Sequence, residues 1–88
     1  MKVLFEKSFG RDLKKIKDKR LRKQVQEVID QVKSAASIND VSNLKKMQDF
    51  DTYCRIRLGN YRIGIEISEG QVIFVCFLNR KDIYHHFP

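Results

Sequence analysis

Three arginines are spaced so that a β-hairpin would bring them to one surface. Arg55 and Arg57 alternate with apolar residues, and Arg62 follows the dipeptide Gly59-Asn60, which is typical of a two-residue turn. Such a turn would place Arg57 directly opposite Arg62, with Arg55 on the same face of the sheet. Because like charges across neighbouring strands destabilise a sheet, the pattern indicates that an anion binds above them. Guanidinium groups suit phosphate, since each can bind two oxygens at once.

The residues after the last apolar run supply the fourth arginine and several titratable groups. Arg80 stands where it could bend toward the other arginines, and Tyr84, His85 and His86 follow it closely. A histidine can shuttle protons near neutral pH, and a tyrosine can stack on a base or position a hydroxyl group. The sequence leaves open which histidine faces the arginines, because an extended tail alternates its side chains and a helical turn does not. We expect Phe87 to anchor the tail by packing.

Simpler interpretations exist for the same side chains. Arg80 and Arg57 could form internal ion pairs with Asp82 and Glu66, the only carboxylates well placed nearby. Histidines near a chain end could also be exposed and inert. The carboxylates are too few to neutralise four arginines, so the sequence still favours an external anion.

Three strand-like runs are needed to hold these side chains in place. The runs cover residues 54–58, 61–67 and 71–78 and are rich in β-branched and aromatic residues. The first turn begins with glycine, as a type II′ turn prefers, and a Ser-Glu-Gly sequence forms the second. Gly64, in the middle of the face that bears the arginines, would leave room for the close approach of a ligand.

The N-terminal half predicts one short strand and two basic helices. Residues 2–5 form an apolar run typical of a strand, Ser8 is placed to cap a helix over residues 9–17, and Asp18 to cap a second helix. The second helix would carry an apolar stripe of Leu21, Val25, Val28, Ile29 and Val32. We therefore expect an α+β fold: an antiparallel sheet of the C-terminal three-strand meander plus the N-terminal strand, with the helical hairpin packed on one face.

Length and charge limit the class of protein. At 88 residues the chain is expected to form a single domain, residues 1–88. The net charge of +7 favours a polyanionic partner, namely nucleic acid, an acidic protein segment or a membrane surface. No apolar run approaches the roughly 20 residues that span a bilayer, and residues 1–7 lack the apolar region of a signal peptide. We therefore expect a cytoplasmic protein without a membrane partner.

Cys54 and Cys76 are both expected on the core face, on the strands that flank the middle strand of the meander. Their separation would be two strand spacings, roughly 9–10 Å, which exceeds the limit of about 7 Å between Cα atoms joined by a disulfide. We interpret both as buried thiols. No Cys or His pair has the spacing of metal ligands, so we expect no metal and no cofactor.

The chain resembles the RelE/ParE superfamily of bacterial type II toxin–antitoxin toxins. The resemblance covers nearly the whole length and implies a RelE-like fold. It rests on Leu44-Lys45, Tyr53-Cys54-Arg55-Ile56-Arg57-Leu58-Gly59-Asn60-Tyr61-Arg62 and Arg80-Lys81-Asp82-Ile83-Tyr84. These segments are more specific for the superfamily than for either of its branches.

For the RelE branch, the resemblance implies cleavage of messenger RNA in the ribosomal decoding site, which inhibits translation and growth. A 2′-hydroxyl attacks the adjacent phosphate, a base removes its proton, and an acid protonates the leaving oxygen. By position, Arg62 and Arg80 match the catalytic arginines of the family, and Tyr84 matches its C-terminal tyrosine. The expected substrate-binding residues are the remaining basic side chains in or next to these segments: Arg55, Arg57, Lys45, Lys46 and Lys81.

One departure from the family pattern assigns proton transfer to the tail. Several relatives carry lysines where Arg55 and Arg57 stand, and a lysine with a lowered pKa can act as a base. Arginine is effectively always protonated and cannot. The resemblance therefore implies that Tyr84, His85 or His86 moves the proton, as in branch members whose tails end in a histidine and an aromatic residue.

The same resemblance implies partners and leaves competing functions open. A cognate antitoxin with an acidic segment would cover the basic surface and form a hetero-oligomer with the toxin, and messenger RNA and the ribosome would be the targets. A ParE-like toxin of the same fold would instead inhibit DNA gyrase by protein contact, without RNase activity. A non-enzymatic RNA-binding module or a degenerate toxin is the third alternative.

Overall fold

A five-stranded sheet forms the centre of the protein, with two helices on one face and a short third helix on the other. The computed structural model describes all 88 residues. The strands are β1 (Lys2–Phe5), β2 (Leu44–Lys46), β3 (Tyr53–Leu58), β4 (Tyr61–Ser68) and β5 (Gln71–Asn79). The helices are α1 (Lys7–Lys14), α2 (Lys19–Ser34) and α3 (Ile83–His86), and a 3₁₀ turn covers Ile38–Asp40.

The β3–β4 hairpin has the predicted register. Arg57 lies opposite Arg62, and Arg55 lies opposite Gly64. In the turn, Gly59 has a φ of +59° and is followed by a residue without a positive φ, as a type II′ turn requires. The prediction is confirmed, so the local sequence alone decides which side chains of these two strands share a face.

Gly59→Ala is expected to lower the free energy of unfolding by about 1–2 kcal/mol. At a φ of +59° a Cβ is strained, although no neighbouring atom lies within 4 Å of it. Urea unfolding measures the loss. Gly10→Ala is the control, because Gly10 also has open space around it but no positive φ, and inside α1 the alanine should raise stability by about 0.5–1 kcal/mol. A Gly59→Ala variant as stable as the wild type would contradict this turn geometry.

The sheet is mixed and has one more strand than predicted. Its order is β1-β5-β4-β3-β2, and β1 runs parallel to β5 while the other neighbours are antiparallel. The α+β fold with a meander, an N-terminal strand and a helical hairpin is confirmed, but the sheet is not wholly antiparallel. The sequence did not predict β2, because three residues that include two lysines show no apolar alternation; β2 forms as the partner of β3 at the sheet edge.

The two long helices begin for different reasons. Asp18 caps α2 as predicted, since its carboxylate accepts hydrogen bonds from the backbone N–H groups of Arg20 at 2.9 Å and Leu21 at 3.2 Å. The prediction that Ser8 caps α1 is wrong. Ser8 lies inside α1, which begins earlier than expected, and its hydroxyl donates to the carbonyl of Val75 on β5. A tertiary partner has replaced the local cap.

The main hydrophobic core lies between the two long helices and the sheet. Each fully buried aliphatic or aromatic side chain contributes roughly 1.5–3 kcal/mol, so this face supplies most of the stability. Its buried members are Phe9, Val25, Ile29, Val32, Val41, Cys54, Ile56, Ile63, Ile65, Val72, Phe74 and Phe77. Even α2, the longest helix at 16 residues, is strongly charged, and no helix has both the length and the hydropathy needed to cross a membrane.

A β-bulge makes the side chains in the second half of β5 point to the opposite sides of the sheet from those that strict alternation predicts. The pairing register shifts between Gly64 and Ile65 on β4, which leaves Val75 as an extra residue on β5. Phe77 consequently joins the main core, whereas Cys76 packs on the opposite face of the sheet. The prediction that both cysteines lie on the helix-packed face is therefore correct for Cys54 and wrong for Cys76.

Both thiols are free and buried, as predicted. Burial raises the pKa of Cys54, and it raises the pKa of Cys76 to about 12. Because the thiolate is the reactive form, we expect Ellman's reagent at about pH 8 to modify native Cys76 on the order of 10³-fold more slowly than an exposed thiol. Denaturant should release two fast-reacting thiols; rapid modification of the native protein would contradict this burial.

The raised pKa of Cys76 also makes the free energy of unfolding depend on pH. Below the ordinary thiol pKa of about 8.5 both the folded and unfolded chains hold the proton. Above it the unfolded chain releases the proton first, so the contribution of the neutral thiol to stability is lost as the pH rises toward about 12. Comparing the urea midpoints of the wild type and Cys76→Ala across that pH range tests the expected direction.

Candidate active site

Three of the predicted arginines share the sheet surface opposite the long helices. We call this surface, which bears Arg55, Arg57 and Arg62, the arginine face. Arg57 and Arg62 are direct partners in the β3–β4 pairing, and Arg55 lies two residues before Arg57 on the same side of the strand. Arg55 and Arg62 are partly buried, and Arg57 is exposed. The backbone register therefore brings three guanidinium groups within reach of one ligand.

None of these arginines forms an ion pair with a carboxylate. The only salt bridge in the protein joins the Nζ of Lys46 to the Oδ1 of Asp51 at 3.5 Å, on the surface. The internal ion pairs considered for Arg57 and Arg80 do not form, so that alternative is wrong. The positive charge of the face is available to a ligand.

Arg62 is held by the turn that precedes it. Its Nη1 donates hydrogen bonds to the carbonyl oxygens of Gly59 and Tyr61, both at 2.8 Å. Partial burial lowers the pKa of Arg62, and the positive charges of the other three arginines, chiefly Arg55, lower it further. The arginines therefore repel one another in the free protein, and an anion bound among them would relieve that repulsion.

Arg80 reaches the same surface from the end of β5. Its backbone N–H donates to the carbonyl oxygen of Asn60 at 2.9 Å, so the residue lies beside the hairpin turn. Its side chain is exposed, and its charge is one of those that lower the pKa of Arg62. The other three predicted arginines thus all lie close enough to Arg62 to act on its charge.

A pocket of about 340 Å³ opens beside Arg55. This volume is at the lower end of the range of about 300–1,000 Å³ typical of ligand pockets. Lys45 lies directly opposite Arg55 in the sheet, and Tyr84 approaches from the tail. The complete lining is Lys45, Lys46, Met47, Gln48, Arg55 and Tyr84. Three cations and a phenol therefore surround a space that is large enough for a small anionic or aromatic group.

Sequence reasoning missed Met47 and Gln48 as lining residues. They follow the predicted binding residues Lys45 and Lys46, but nothing in their types or spacing indicates a site. Their position depends on the pairing of β2 with β3, and that strand was not predicted. Lys81, by contrast, is exposed in the turn after β5 and lies outside the pocket.

The tail forms the four-residue helix α3, so its side chains follow helical spacing. Ile83 and Phe87 are buried against the sheet. Tyr84 lies on one flank of this buried side, in the pocket. Helical geometry puts His86 on the other flank, roughly 200° from Tyr84, and turns His85 away from the sheet. Both histidines are exposed, and the pocket contains Tyr84 but neither histidine.

Gly64 does not leave space for a ligand, contrary to the prediction. A Cβ at this position would lie 2.6 Å from the Sγ of Cys76 and 3.0 Å from two ring atoms of Phe87. The tail of the protein itself fills this space, and Phe87 is only 4% exposed. The predicted role of Phe87 as a packing anchor is confirmed. No group of three or more His, Cys, Asp or Glu side chains is arranged to hold a metal ion.

Comparison with known proteins gives consistent matches over the whole fold. Residues 3–84 match the family described as ParE toxin of type II toxin-antitoxin system, parDE. Toxin RelE3 of Methanocaldococcus jannaschii is 44% identical over 89 residues, covering 100% of both chains. The RelB-RelE antitoxin-toxin complex from Methanococcus jannaschii has a TM-score of 0.82 and 40% identity, covering 97% of this chain and 99% of that chain.

A more distant structure shares the fold alone. The archaeal RelE-RelB complex from Pyrococcus horikoshii OT3 has a TM-score of 0.73 at 17% identity, over 90% of this chain and 93% of that chain. These relatives come from archaea, so the family that the sequence resembles is not confined to bacteria. The chain is a toxin of the RelE/ParE superfamily and belongs to the family of ParE toxins of type II toxin–antitoxin systems.

Proposed function

We propose that this toxin is an endoribonuclease of the RelE branch that cuts messenger RNA at the ribosome and thereby stops translation and growth. The observation that carries the proposal is the arginine face together with the adjacent Arg80: four guanidinium groups without a carboxylate partner lie near a pocket that contains Tyr84. The similarity to Toxin RelE3 over the full length of both chains supports this branch. In the reaction, the 2′-oxygen bonds to the adjacent phosphorus and the bond from phosphorus to the 5′-oxygen of the next nucleotide breaks.

Arg62 and Arg80 stabilise the negative charge that accumulates on the phosphorane. Fixed charges aimed at the transition state contribute most when they do not have to reorganise. Arg62 meets this condition because its two hydrogen bonds to the turn carbonyls fix the guanidinium before RNA arrives. Arg80 is freer, since its side chain is exposed and only its backbone is bonded to the turn.

Basic side chains around the two arginines bind the RNA backbone. Arg55 and Lys45 line the pocket as direct partners on neighbouring strands, and Lys46 completes its basic wall. Arg57 and Lys81 are exposed and contact phosphates outside the pocket. Contacts of this kind set affinity and its dependence on salt, and they carry little sequence information.

Of the arginines and the tail residues, only the tail residues can transfer a proton, because arginine cannot act as a base. Tyr84 is the leading candidate, since its side chain lies in the pocket with Arg55. His86 and His85 are the remaining titratable groups of α3, and both are open to solvent. His86, on the flank of α3, is nearer to the sheet than His85 and is the second candidate.

We also propose that the toxin binds an antitoxin and acts in the cytoplasm. Two of the solved relatives are complexes of a RelE toxin with a RelB antitoxin. An acidic antitoxin segment is the natural complement of a chain with a net charge of +7 and an unpaired arginine face. Binding there yields a hetero-oligomer in which the arginines are no longer available to RNA. Ribosomes, the proposed targets, are cytoplasmic.

The test is to add the purified chain to translating ribosomes programmed with a defined messenger RNA and to map the new 5′ ends. We expect cuts within the translated region, and far fewer on the same RNA without ribosomes. Arg20→Ala, on the exposed surface of α2, is the matched arginine control and should cut normally. Intact messenger RNA at every toxin concentration would overturn the proposal.

Inhibition of DNA gyrase is the second candidate function, because the matched family is described as ParE toxins. A gyrase inhibitor of this fold would act by protein contact and would not need the tail residues for chemistry. The same purified chain would then block DNA supercoiling while leaving translated messenger RNA intact. A supercoiling assay run beside the cleavage assay separates the two candidates.

A further inference from the structure

We propose that Gly64 and Phe87 form a positioning contact, in which the Phe87 ring fills the notch left by the missing Cβ and thereby fixes Tyr84 at the active site. The inference rests on the proposed RNA cleavage, in which Tyr84 touches the substrate. Neither Gly64 nor Phe87 needs to touch RNA. They act through the tail, and they are therefore positioning residues rather than catalytic ones.

The Phe87 ring is packed tightly, against Gly64 on the sheet and against Tyr53. A Cβ on Gly64 would lie 2.6 Å from the Sγ of Cys76, closer than Cβ atoms pack in proteins, and 3.0 Å from both Cδ atoms of Phe87, which is tighter than nine in ten such contacts. The ring is only 4% exposed and meets Tyr53 edge-on, with the ring centroids 5.4 Å apart. Gly64 lies directly opposite Arg55, so the notch is in the middle of the arginine face.

The helix α3 cannot hold this position by itself. A helix of four residues is far below the length of about 12–15 residues at which isolated helices become marginally stable in water. Its placement must come from side chains packed on the sheet. These side chains form a second, small hydrophobic cluster of Met47, Cys76, Ile83 and Phe87, separate from the main core.

The position of Tyr84 follows from this cluster. Tyr84 lies directly after the buried Ile83 and three residues before the buried Phe87, so the two anchors set where its side chain enters the pocket. The arginines, in contrast, belong to the hairpin and the end of β5. Moving the tail should therefore change the chemical step while the affinity for RNA, which depends on the arginines, is kept.

The test compares Gly64→Ala with Gly10→Ala, which adds the same methyl group where no atom outside the adjacent backbone of its own helix lies within 4 Å. The chain has only 2 histidines, both in α3, so their ring-proton NMR signals report the tail directly. For Gly64→Ala we expect both signals to shift, kcat to fall by about 10²-fold, as displacements near 1 Å can cause, and the Kd for RNA to stay within about threefold, since the phosphate contacts remain. Gly10→Ala should change none of the three.

Two further variants separate Phe87 from the nearer thiol. Phe87→Ala empties the notch without crowding it. It is expected, like Gly64→Ala, to shift the histidine signals and lower kcat while the Kd for RNA is kept. Adding Cys76→Ala to Gly64→Ala removes the closest contact and leaves the ring in the way, so it should not restore the tail signals or kcat. Restoration by Cys76→Ala, or unchanged histidine signals in Phe87→Ala, would overturn the proposal. If the wild-type chain cuts no RNA, the proposed function fails, and the NMR signals alone decide whether the contact holds the tail.

Discussion

Replacing Arg62 with alanine is expected to slow the cleavage of messenger RNA by about 10²–10³-fold, the scale seen when one preorganised group that stabilises transition-state charge is removed. Arg62 is the arginine whose charge is most constrained, because two carbonyl oxygens of the hairpin turn hold its Nη1 at 2.8 Å. The same replacement should leave the free energy of unfolding within about 0.5 kcal/mol of the wild type. It removes a repulsive pair with Arg57 as well as the two hydrogen bonds to the turn carbonyls. Single-turnover cleavage and urea unfolding measure the two quantities.

The comparison with other arginines decides how this result is interpreted. Arg20→Ala removes the same charge from the exposed surface of α2 and is expected to cut at the wild-type rate. Arg62→Lys keeps the charge but loses the planar fork, so it should recover only part of the activity. Full activity of Arg62→Ala, or a loss that simply follows a loss of folded protein, would contradict the assignment of Arg62 to the phosphate.

Tyr84→Phe is expected to lower kcat by about 10²–10⁴-fold, the usual contribution of one group that transfers a proton. The substitution removes only the hydroxyl group, and the phenyl ring can still form the wall of the pocket beside Arg55. The affinity for RNA should therefore change little. Cleavage under single-turnover conditions and RNA binding by filter retention give the two numbers.

His85→Gln is the matched control from the same helix, because His85 lies on the side of α3 that faces away from the sheet. It is expected to reduce kcat by less than about threefold, the range of ordinary surface changes. A larger loss for His85→Gln than for Tyr84→Phe would assign the proton transfer to the histidine and contradict the placement of Tyr84. His86→Gln should fall between the two.

The sequence predicts best those features that depend on local chemistry. The register of the hairpin follows from Gly59-Asn60, and with it the common face of Arg55, Arg57 and Arg62, because a two-residue turn fixes the pairing of its strands. The cap of α2 at Asp18 is equally local. These features needed no knowledge of the rest of the fold.

The features that the sequence did not predict depend on contacts between distant segments. The bulge at Val75 changes the face of Cys76, and a strict alternation rule applied to β5 cannot reveal an extra residue. Strand β2 forms only because β3 offers it an edge. The sequence also could not predict that Phe87 fills the space over Gly64, because the two residues are 23 positions apart and meet only when the tail folds back onto the sheet.

The extra residue in β5 places Phe77 on one side of the sheet and Cys76 on the other, and the two sides have different roles. One side carries the main hydrophobic core, which keeps the chain folded. The other side carries the groups proposed to act on RNA and the small hydrophobic cluster that holds the tail in position. Replacing the exposed charged groups of the reactive side should therefore leave the main core intact, because that core lies on the other side of the sheet.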